Sequence, residues 1–354
     1  MSLFASPAFE DHEAVHAFSD PASGLKAIIA IHSTARGPAA GGCRMWPYAN
    51  EQAAMDDALR LSRAMSYKNA VADLDLGGGK AVIIGDSRTA KTGELFEAFG
   101  RCVEALGGAY WSAEDVGVSP DDLAHARKAT RFVAGLEGHP AASGDPSPLT
   151  AEGIKRGIEL CVRRALGRDL EGVKVAIQGV GHVGACLADK LAAAGARLTL
   201  TDVNEAAQNA VAERTSARIV APGEIFAAEV DVFAPCALGG AITTATAQTL
   251  RARIVAGGAN NQLADPAAGL ALQERGILYA PDFVINGGGI INVAAEIRGL
   301  DRDEPYDPAW VETKIVRMIE TLDEVLARSQ AESRQPQDVA IDIAKTRIAS
   351  ARKT

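Results

Sequence analysis

Three glycines in Gly179-Val180-Gly181-His182-Val183-Gly184 have the spacing of a loop that cradles a pyrophosphate. The apolar run VKVAIQ precedes them and a helix-forming stretch follows, so the loop joins a strand to a helix N-terminus. The first glycine permits the tight turn, the second lets backbone approach the ligand, and the third lets helix and sheet pack closely. Val180, His182 and Val183 fill the positions between, with His182 a surface residue at the helix start. Asp202 ends the next β-rich run, ARLTLTD, eighteen residues after Gly184. A carboxylate there accepts hydrogen bonds from adenosine ribose hydroxyls and repels a 2'-phosphate, which favours NAD over NADP. The alternative is a glycine-rich turn without a ligand; strand, helix and acid all in place argue against it.

A second set lies upstream: Lys68 in AMSYKNA, Lys80 in DLGGGKAVI and Asp115 in SAEDVGV. Lys80 opens an apolar strand after three glycines, so its ammonium is expected to be partly desolvated, a setting that favours the neutral amine able to act as a base. Asp115 closes an aromatic-flanked strand, where a carboxylate could hold an ammonium or relay a proton. Spacing alone leaves a plain alternative open, two surface lysines and one loop aspartate.

The elements that must position these groups follow from pattern. HEAVHAFSD (12–20) and LKAIIAIHS (25–33) read as a hairpin turned at Pro21-Ala22-Ser23-Gly24. After a glycine-rich bend, GPAAGG, Asn50 caps a helix running to about Ala70, with Met55, Leu59 and Ser62 on one face. A buried strand over 77–86, a helix over 92–106, a short strand at YWSAEDV and a helix opened by Ser119-Pro120 complete an α+β unit. Gly, Pro, Ser and Asp crowd together over 135–150, the composition of a linker or hinge. From Gly172 onward short β-rich runs alternate with helical stretches, which implies right-handed crossovers and a parallel sheet covered on both faces. The last 45 residues read as helical, with Ile315, Met318, Leu322 and Val325 on one apolar face. The expected division is 1–139, a substrate-binding domain; 140–324, a Rossmann nucleotide-binding domain; and 325–354, helices that pack back on the first domain.

Composition limits the function classes. The 354 residues are 47% hydrophobic and 23% charged, an ordinary globular balance, with 36 basic against 45 acidic side chains and a net charge of −9. That balance disfavours nucleic acid and anionic membrane as partners and points to a small molecule. The five cysteines, with no CxxC pair, indicate neither a zinc site nor a disulfide framework and fit a reducing cytoplasm. No run reaches the roughly 18 apolar residues of a membrane span, and the N-terminus lacks an export signal.

GPAAGGCRMWPY, LSRAMSYKNAVADLDLGGGKAVI, SAEDVGV, GDPSPLTAEGI, GVGHVG, APCALGG, GGANNQL and PDFVINGGGIINVAAE resemble, in order and spacing, the amino acid dehydrogenases that include the leucine, phenylalanine, valine and glutamate enzymes. The blocks span residues 37 to about 296, and the likeness is closest to the leucine, phenylalanine and valine branch. The resemblance implies an α/β protein of two domains, an α+β substrate domain with a mixed sheet and a Rossmann NAD domain, with the catalytic cleft between them. It implies reversible oxidative deamination of an L-amino acid to the 2-oxo acid and ammonia, with NAD as cofactor and no metal. In it Lys68 binds the substrate α-carboxylate beside the amides near Gly41 and Gly42, Lys80 activates the water that attacks the imine, and Asp115 shuttles protons to the amino group. Asn261 lies near substrate and nicotinamide, Thr150 near the nicotinamide carboxamide, and Val203, Cys236, Ala237, Asn260 and Asn286 beside the cofactor. The glutamate enzymes carry a lysine where this chain has Ala40, so a side-chain carboxylate would be buried unpaired. Ala40, Met65, Ala113, Ile290 and Val293 then line an apolar side-chain pocket, although Met65, Ile290 and Val293 have core packing as the plain alternative. Ala113 and Ile290 resemble the leucine enzymes, whereas the small Ala40 leaves room for a ring, so leucine and its branched relatives lead and phenylalanine follows. A homo-oligomer, dimer or octamer, is implied as well. A 2-hydroxy-acid dehydrogenase would ordinarily need a histidine acid/base, which none of the six histidines supplies, and a non-catalytic NAD-binding regulator would not need the lysines.

Overall fold

The computed structural model describes residues 3–352. They form two compact units, each discontinuous in sequence: residues up to Gly144 with Ile290–Lys314 and Ala344 onward, and Asp145–Gly289 with Ile315–Ile343.

The first unit is built on a five-stranded mixed sheet. Strands β1 (Ala14–Asp20) and β2 (Leu25–Ser33) form the expected antiparallel hairpin, with Asp20 opposite Leu25 and Gly24 supplying the positive φ of the turn. Strand β3 (Ala39–Trp46) leads into helix α1 (Glu51–Val71), whose N-terminus is capped by Asn50 accepting from the Ala53 amide at 2.9 Å. Strand β4 (Gly77–Ile84), helix α2 (Gly93–Glu104), strand β5 (Tyr110–Glu114) and helix α3 (Pro120–Arg127) follow, the last opened by a capping box from Ser119 to Asp122. Sheet order is β1-β2-β4-β3-β5, with β3 parallel to both β4 and β5. Ala54, Ala58 and Leu59 of α1 pack on Ile28, Ala30 and Val82. On the other face Ile29, Cys43, Met45, Ala81 and Ile83 pack on Leu95, Phe96, Phe99 and Leu123 of α2 and α3. One element differs from expectation: only Gly37-Pro38 of GPAAGG form a bend, while Ala39–Gly42 already lie in β3, a strand paired on both sides. Its glycines serve close packing, since a Cβ on Gly41 would stand 2.0 Å from the Gly79 carbonyl oxygen.

In the second unit helix α4 (Ser147–Leu166) is followed by β6 (Lys174–Gln178), α5 (His182–Ala193), β7 (Arg197–Thr201), α6 (Glu205–Thr215) and β8 (Arg218–Ile219). Next come β9 (Val232–Pro235), α7 (Thr244–Thr249), β10 (Ile254–Val255), α8 (Pro266–Glu274), β11 (Leu278–Tyr279) and α9 (Asp282–Ile285). All six strands are parallel in the order β11-β10-β9-β6-β7-β8, the doubly wound arrangement in which β6 starts the central crossing. The short strand β8 lies in a polar stretch without β patterning, so periodicity did not single it out.

The remaining chain forms α10 (Gly288–Arg302), α11 (Pro308–Glu332) and α12 (Pro336–Ala351). Contrary to a return of 325–354 as a block, only Ala344 onward joins the first unit, where the Arg347 guanidinium donates to the carbonyls of Ala70 and Val71 at the end of α1. Ile315–Ile343 stay with the second unit because Met318 and Leu322 seat against Gly153 and Gly157 of α4, where a Cβ would collide, and Arg164 pairs with Asp323 at 2.6 Å. Ile290–Lys314 belong to the first unit rather than the second. The reason is Glu296, buried on α10, whose carboxylate accepts from the amides of Gly135, Leu136 and Ser143 and from the Ser143 hydroxyl. Charge-assisted bonds of this kind contribute roughly 1.5–3 kcal/mol each. They pin the 135–143 stretch whose composition reads as a linker.

The first unit also buries two imidazoles, His12 and His32, with ring centroids 5.0 Å apart. His12 Nδ1 accepts from the Glu10 amide, so Nε2 carries the hydrogen that meets the Leu59 carbonyl at 2.9 Å. His32 Nδ1 meets the Ser66 hydroxyl at 2.7 Å. Burial, reinforced by the charges of His12, Arg63 and Arg352 against the opposing Glu13, lowers the His32 pKa from 6.5 to about 4. Burial likewise lowers that of His12. A histidine held neutral in the fold contributes stability above its unfolded pKa, and that contribution is lost as pH falls from about 6.5 towards 4. The denaturant midpoint is therefore expected to drop over this window in urea titrations, and His32→Asn, which keeps a hydrogen bond to Ser66, to flatten the drop; an unchanged slope would refute the assignment.

Candidate active site

In the first unit Lys80 is 5% exposed, and its ammonium sits 2.6 Å from Asp115 Oδ2. Burying either ion alone costs several kcal/mol, so each requires the other. The lysine is carried by β4 and the aspartate follows β5; β3 runs between them. Residues on β3 opposite this pair have no room for side chains. A Cβ on Gly42 would stand 2.5 Å from the Glu114 carbonyl oxygen and 2.8 Å from Asp115 Cβ, and one on Gly41 would meet Met65 Cγ at 3.1 Å. The β3–β4 ladder lapses at these two residues, pairing at Ala40–Gly78 and resuming at Cys43–Ala81. The Tyr110 hydroxyl takes up the carbonyls instead, at 2.8 Å from Gly41 and 3.4 Å from Gly42. Gly41, Gly42, Met65, Lys80 and Asp115 are thus brought together. Lys68 lies in the last turn of α1, partly exposed.

Asp115 Oδ2 also receives Arg44 Nε at 3.0 Å. Arg44 Nη1 reaches Asp57 Oδ2 at 3.0 Å, and Asp57 accepts the Tyr48 hydroxyl at 2.7 Å. Burial disfavours the Asp115 carboxylate, but the charges of Lys80 and Arg44 outweigh it and hold its carboxyl below the usual carboxylate range. Neither Arg44 nor Asp57 was singled out from sequence. The available signal was an arginine inside the otherwise apolar strand AAGGCRMW. Of the residues expected to line an apolar pocket, Ala40 and Ala113 are buried, and Met65, Ile290 and Val293 are partly exposed. Ile290 and Val293 stand one turn apart on α10.

In the second unit the three glycines of the loop have three different surroundings. Gly179 has φ +93° and passes so close to Ala237 that a Cβ would stand 2.7 Å from the Ala237 nitrogen. A Cβ on Gly184 would lie 2.1 Å from the Gly179 carbonyl oxygen, which fixes the packing of α5 against the strand end. A Cβ on Gly181 would meet nothing within 4 Å, and no side chain caps α5 there, so the helix N-terminus is open. His182 is exposed and Val183 partly so. Asp202 also braces this loop, since Oδ2 accepts the Val180 amide at 2.7 Å and Oδ1 the Asn204 amide at 2.8 Å. Each oxygen keeps a lone pair for a ribose hydroxyl. Val203 and Ala237 are exposed on either side of the loop, and Cys236 hydrogen-bonds through its amide to Gln178.

Asn286 is buried; its amide nitrogen donates to the Gly258 carbonyl at 3.1 Å and to Asn260 Oδ1 at 2.8 Å, while its Oδ1 has no donor among the described residues. Asn261 holds a left-handed φ of +51°, and its carbonyl accepts the Gly240 amide. The loop is anchored next door by Asp282, missed by sequence reading, which accepts the Gln262 amide at 2.9 Å. Thr150, in the first turn of α4, donates to the Pro146 carbonyl, and a Cβ on Gly289 would stand 2.8 Å from its Oγ1. An open glycine cradle, an uncapped helix N-terminus, an acid at the second strand end and an orphaned amide oxygen fit a dinucleotide.

Residues 12–132 match the family model of the Glu/Leu/Phe/Val dehydrogenase dimerisation domain, and residues 198–354 that of Glutamate/Leucine/Phenylalanine/Valine dehydrogenase. The chain belongs to this family. It is an amino acid dehydrogenase, an oxidoreductase acting on small molecules, and membership implies a nicotinamide cofactor. Leucine dehydrogenase of Geobacillus stearothermophilus is 45% identical, over 100% of this chain and 95% of that protein. Phenylalanine dehydrogenase of Bacillus thermotolerans is 45% identical over 83% of this chain and 78% of its own. The crystal structure of L-tryptophan dehydrogenase from Nostoc punctiforme superposes with TM-score 0.86 at 38% identity, covering 97% of this chain and 98% of that one. Among the described residues no helix is long and apolar enough to cross a membrane.

The two glycines of the dehydrogenase loop separate packing from ligand space. Gly184→Ala is expected to lower the melting temperature because its methyl group strikes the Gly179 backbone. Gly181→Ala is expected to leave melting unchanged while raising the KM for the nicotinamide cofactor at least about tenfold, as a methyl enters the anion cradle. Melting curves and cofactor titrations check both.

Proposed function

We propose that this enzyme catalyses the NAD-dependent, reversible oxidative deamination of apolar L-amino acids, with leucine and its branched relatives preferred. The observation that carries the reading is the buried Lys80–Asp115 pair beside the glycine-floored stretch of β3. Lys68 binds the α-carboxylate of the substrate, with backbone near Gly41 and Gly42 approaching it closely. Lys80, as the neutral amine, takes a proton from water and directs the oxygen to the imine carbon; Asp115 moves protons to and from the substrate nitrogen. Gly179–Gly184 and Asp202 hold the pyrophosphate and ribose, Val203, Cys236, Ala237 and Asn260 flank the nucleotide, and Thr150, Asn261 and Asn286 supply polar groups at the nicotinamide end. Bound NAD+ supplies the hydride acceptor. The Asp202 carboxylate supports NAD over NADP by repelling a 2'-phosphate.

Ala40 in place of a lysine supports an apolar substrate, because a glutamate side chain would be buried without a counter-ion. Ala40, Met65, Ala113, Ile290 and Val293 contact the side chain in this reading. The preference for leucine is supported by the full-length similarity to leucine dehydrogenases. A second reading, an aromatic substrate, draws on the small Ala40 and on the likeness to phenylalanine and tryptophan dehydrogenases. A methylene in such a pocket discriminates by only about 1–3 kcal/mol, so several substrates are turned over. The free cysteines fit a cytoplasmic enzyme, and the match to a dimerisation domain fits a homo-oligomer, dimer or octamer.

The test is kcat/KM for leucine, isoleucine, valine, phenylalanine, tryptophan and glutamate with NAD and NADP. Leucine with NAD is expected to lead and glutamate to be inactive; tryptophan or phenylalanine leading would select the second reading, and activity with none would sink both. Lys80→Ala is expected to abolish turnover with NAD still bound, and Lys68→Ala chiefly to raise KM for the amino acid.

A further inference from the structure

Asp115 shares a single oxygen, Oδ2, between two cations of different character: Lys80 Nζ at 2.6 Å and Arg44 Nε at 3.0 Å. Of the two, only an amine side chain can give up its proton during a reaction; a guanidinium in a protein stays protonated. If Lys80 works by passing between ammonium and amine, the charge that holds Asp115 ionised disappears whenever the amine forms. The guanidinium does not. It is also fixed: Nη1 is tied to Asp57 on α1, and Asp57 is held by the hydroxyl of Tyr48 and by Arg60. Ala40, Gly42 and Arg44 alternate along β3, so the side chain emerges from the same face as the absent side chain of Gly42, directly beside Asp115. With Oδ2 saturated by two donors, Oδ1 is the oxygen left for proton exchange.

We infer that Arg44 is a positioning residue of the reaction, the permanent counter-charge that keeps Asp115 ionised and aimed while the charge of Lys80 changes. The inference rests on Lys80 and Asp115 being the reacting pair. Other titratable groups around Asp115 are Cys43 and Tyr110, buried and kept neutral by burial, with Tyr48 and Asp57 on the far side of the guanidinium.

The experiment is the pH dependence of kcat/KM for the best amino acid substrate with wild type, R44Q, R44K, K80M and D115N. Removing a positive charge makes every neighbouring proton harder to lose. In R44Q the acidic limb is therefore expected to move up by about one pH unit, with kcat down at least about tenfold and KM within about threefold. R44K, which keeps the charge but not the fork that spans Asp57 and Asp115, is expected to return the limb to its wild-type position with only part of kcat restored. A purely structural arginine would lower melting temperature without moving the limb, so an R44Q enzyme with native melting and an unmoved limb overturns the inference. Should R44Q not fold, R44K decides: reduced kcat at native melting supports the role, and wild-type kcat overturns it. K80M and D115N separate the two layers. If either stays active the reading of the pair fails and this inference falls with it; if both are dead and R44Q is unshifted, only the role of Arg44 fails.

Discussion

Burying an ammonium in the middle of a sheet is the constraint around which the first unit is arranged. Lys80 cannot stay charged at 5% exposure without an anion in direct contact, and the anion comes from the end of a different strand. That requires β4 and β5 to be separated by one strand whose residues at the critical level have no side chains. Gly41 and Gly42 meet the requirement at the cost of two ladder positions, and the Tyr110 hydroxyl takes over the carbonyls that the ladder releases. The pair is then held from outside by Arg44, Asp57 and Tyr48, so that β3, α1 and the end of β5 share one network of charges.

The second unit meets a different demand with the same residue type. An anion is to be received at a helix N-terminus, so backbone must be exposed there yet rigid. Gly179 and Gly184 are packed into backbone on either side, and only Gly181 faces open space. Asp202, from the neighbouring strand, holds the loop through the Val180 amide and stays available to hydroxyls.

Much of this is legible in the residues alone. The hairpin, the Asn50 cap, the capping box at Ser119 and the alternation of β6, β7, β9, β10 and β11 with helices are set by local chemistry: turn residues, side-chain caps and hydrophobic period. The glycine motif is legible because each glycine answers a distinct steric need within a few residues. The Ala39–Gly42 part of GPAAGG misleads as a bend for the same reason, since turn chemistry is all that a local window offers, whereas the need for glycine at Gly41 and Gly42 comes from Gly79 and Glu114, distant in sequence. Arg44 escapes notice because its partners lie 13 and 71 residues away. Likewise the 135–150 stretch has the composition of a linker, and only the buried carboxylate of Glu296, some 150 residues downstream, fastens it.

By itself the sequence determined the kind of chemistry: two lysines and an aspartate among glycines, a dinucleotide loop with its acid, and an alanine where a cation would be needed for glutamate. The glycine loop is written in short spacing, whereas the lysines, the aspartate and the alanine are read through the resemblance of whole motif blocks. Tertiary structure decided which of them meet, that Asp115 answers Lys80 and Arg44 at once, and that the C-terminal chain is shared between units with only Ala344 onward returning to the first. The physical reason is that charge pairing and close packing are satisfied in space, by groups whose separation along the chain carries no trace of their contact.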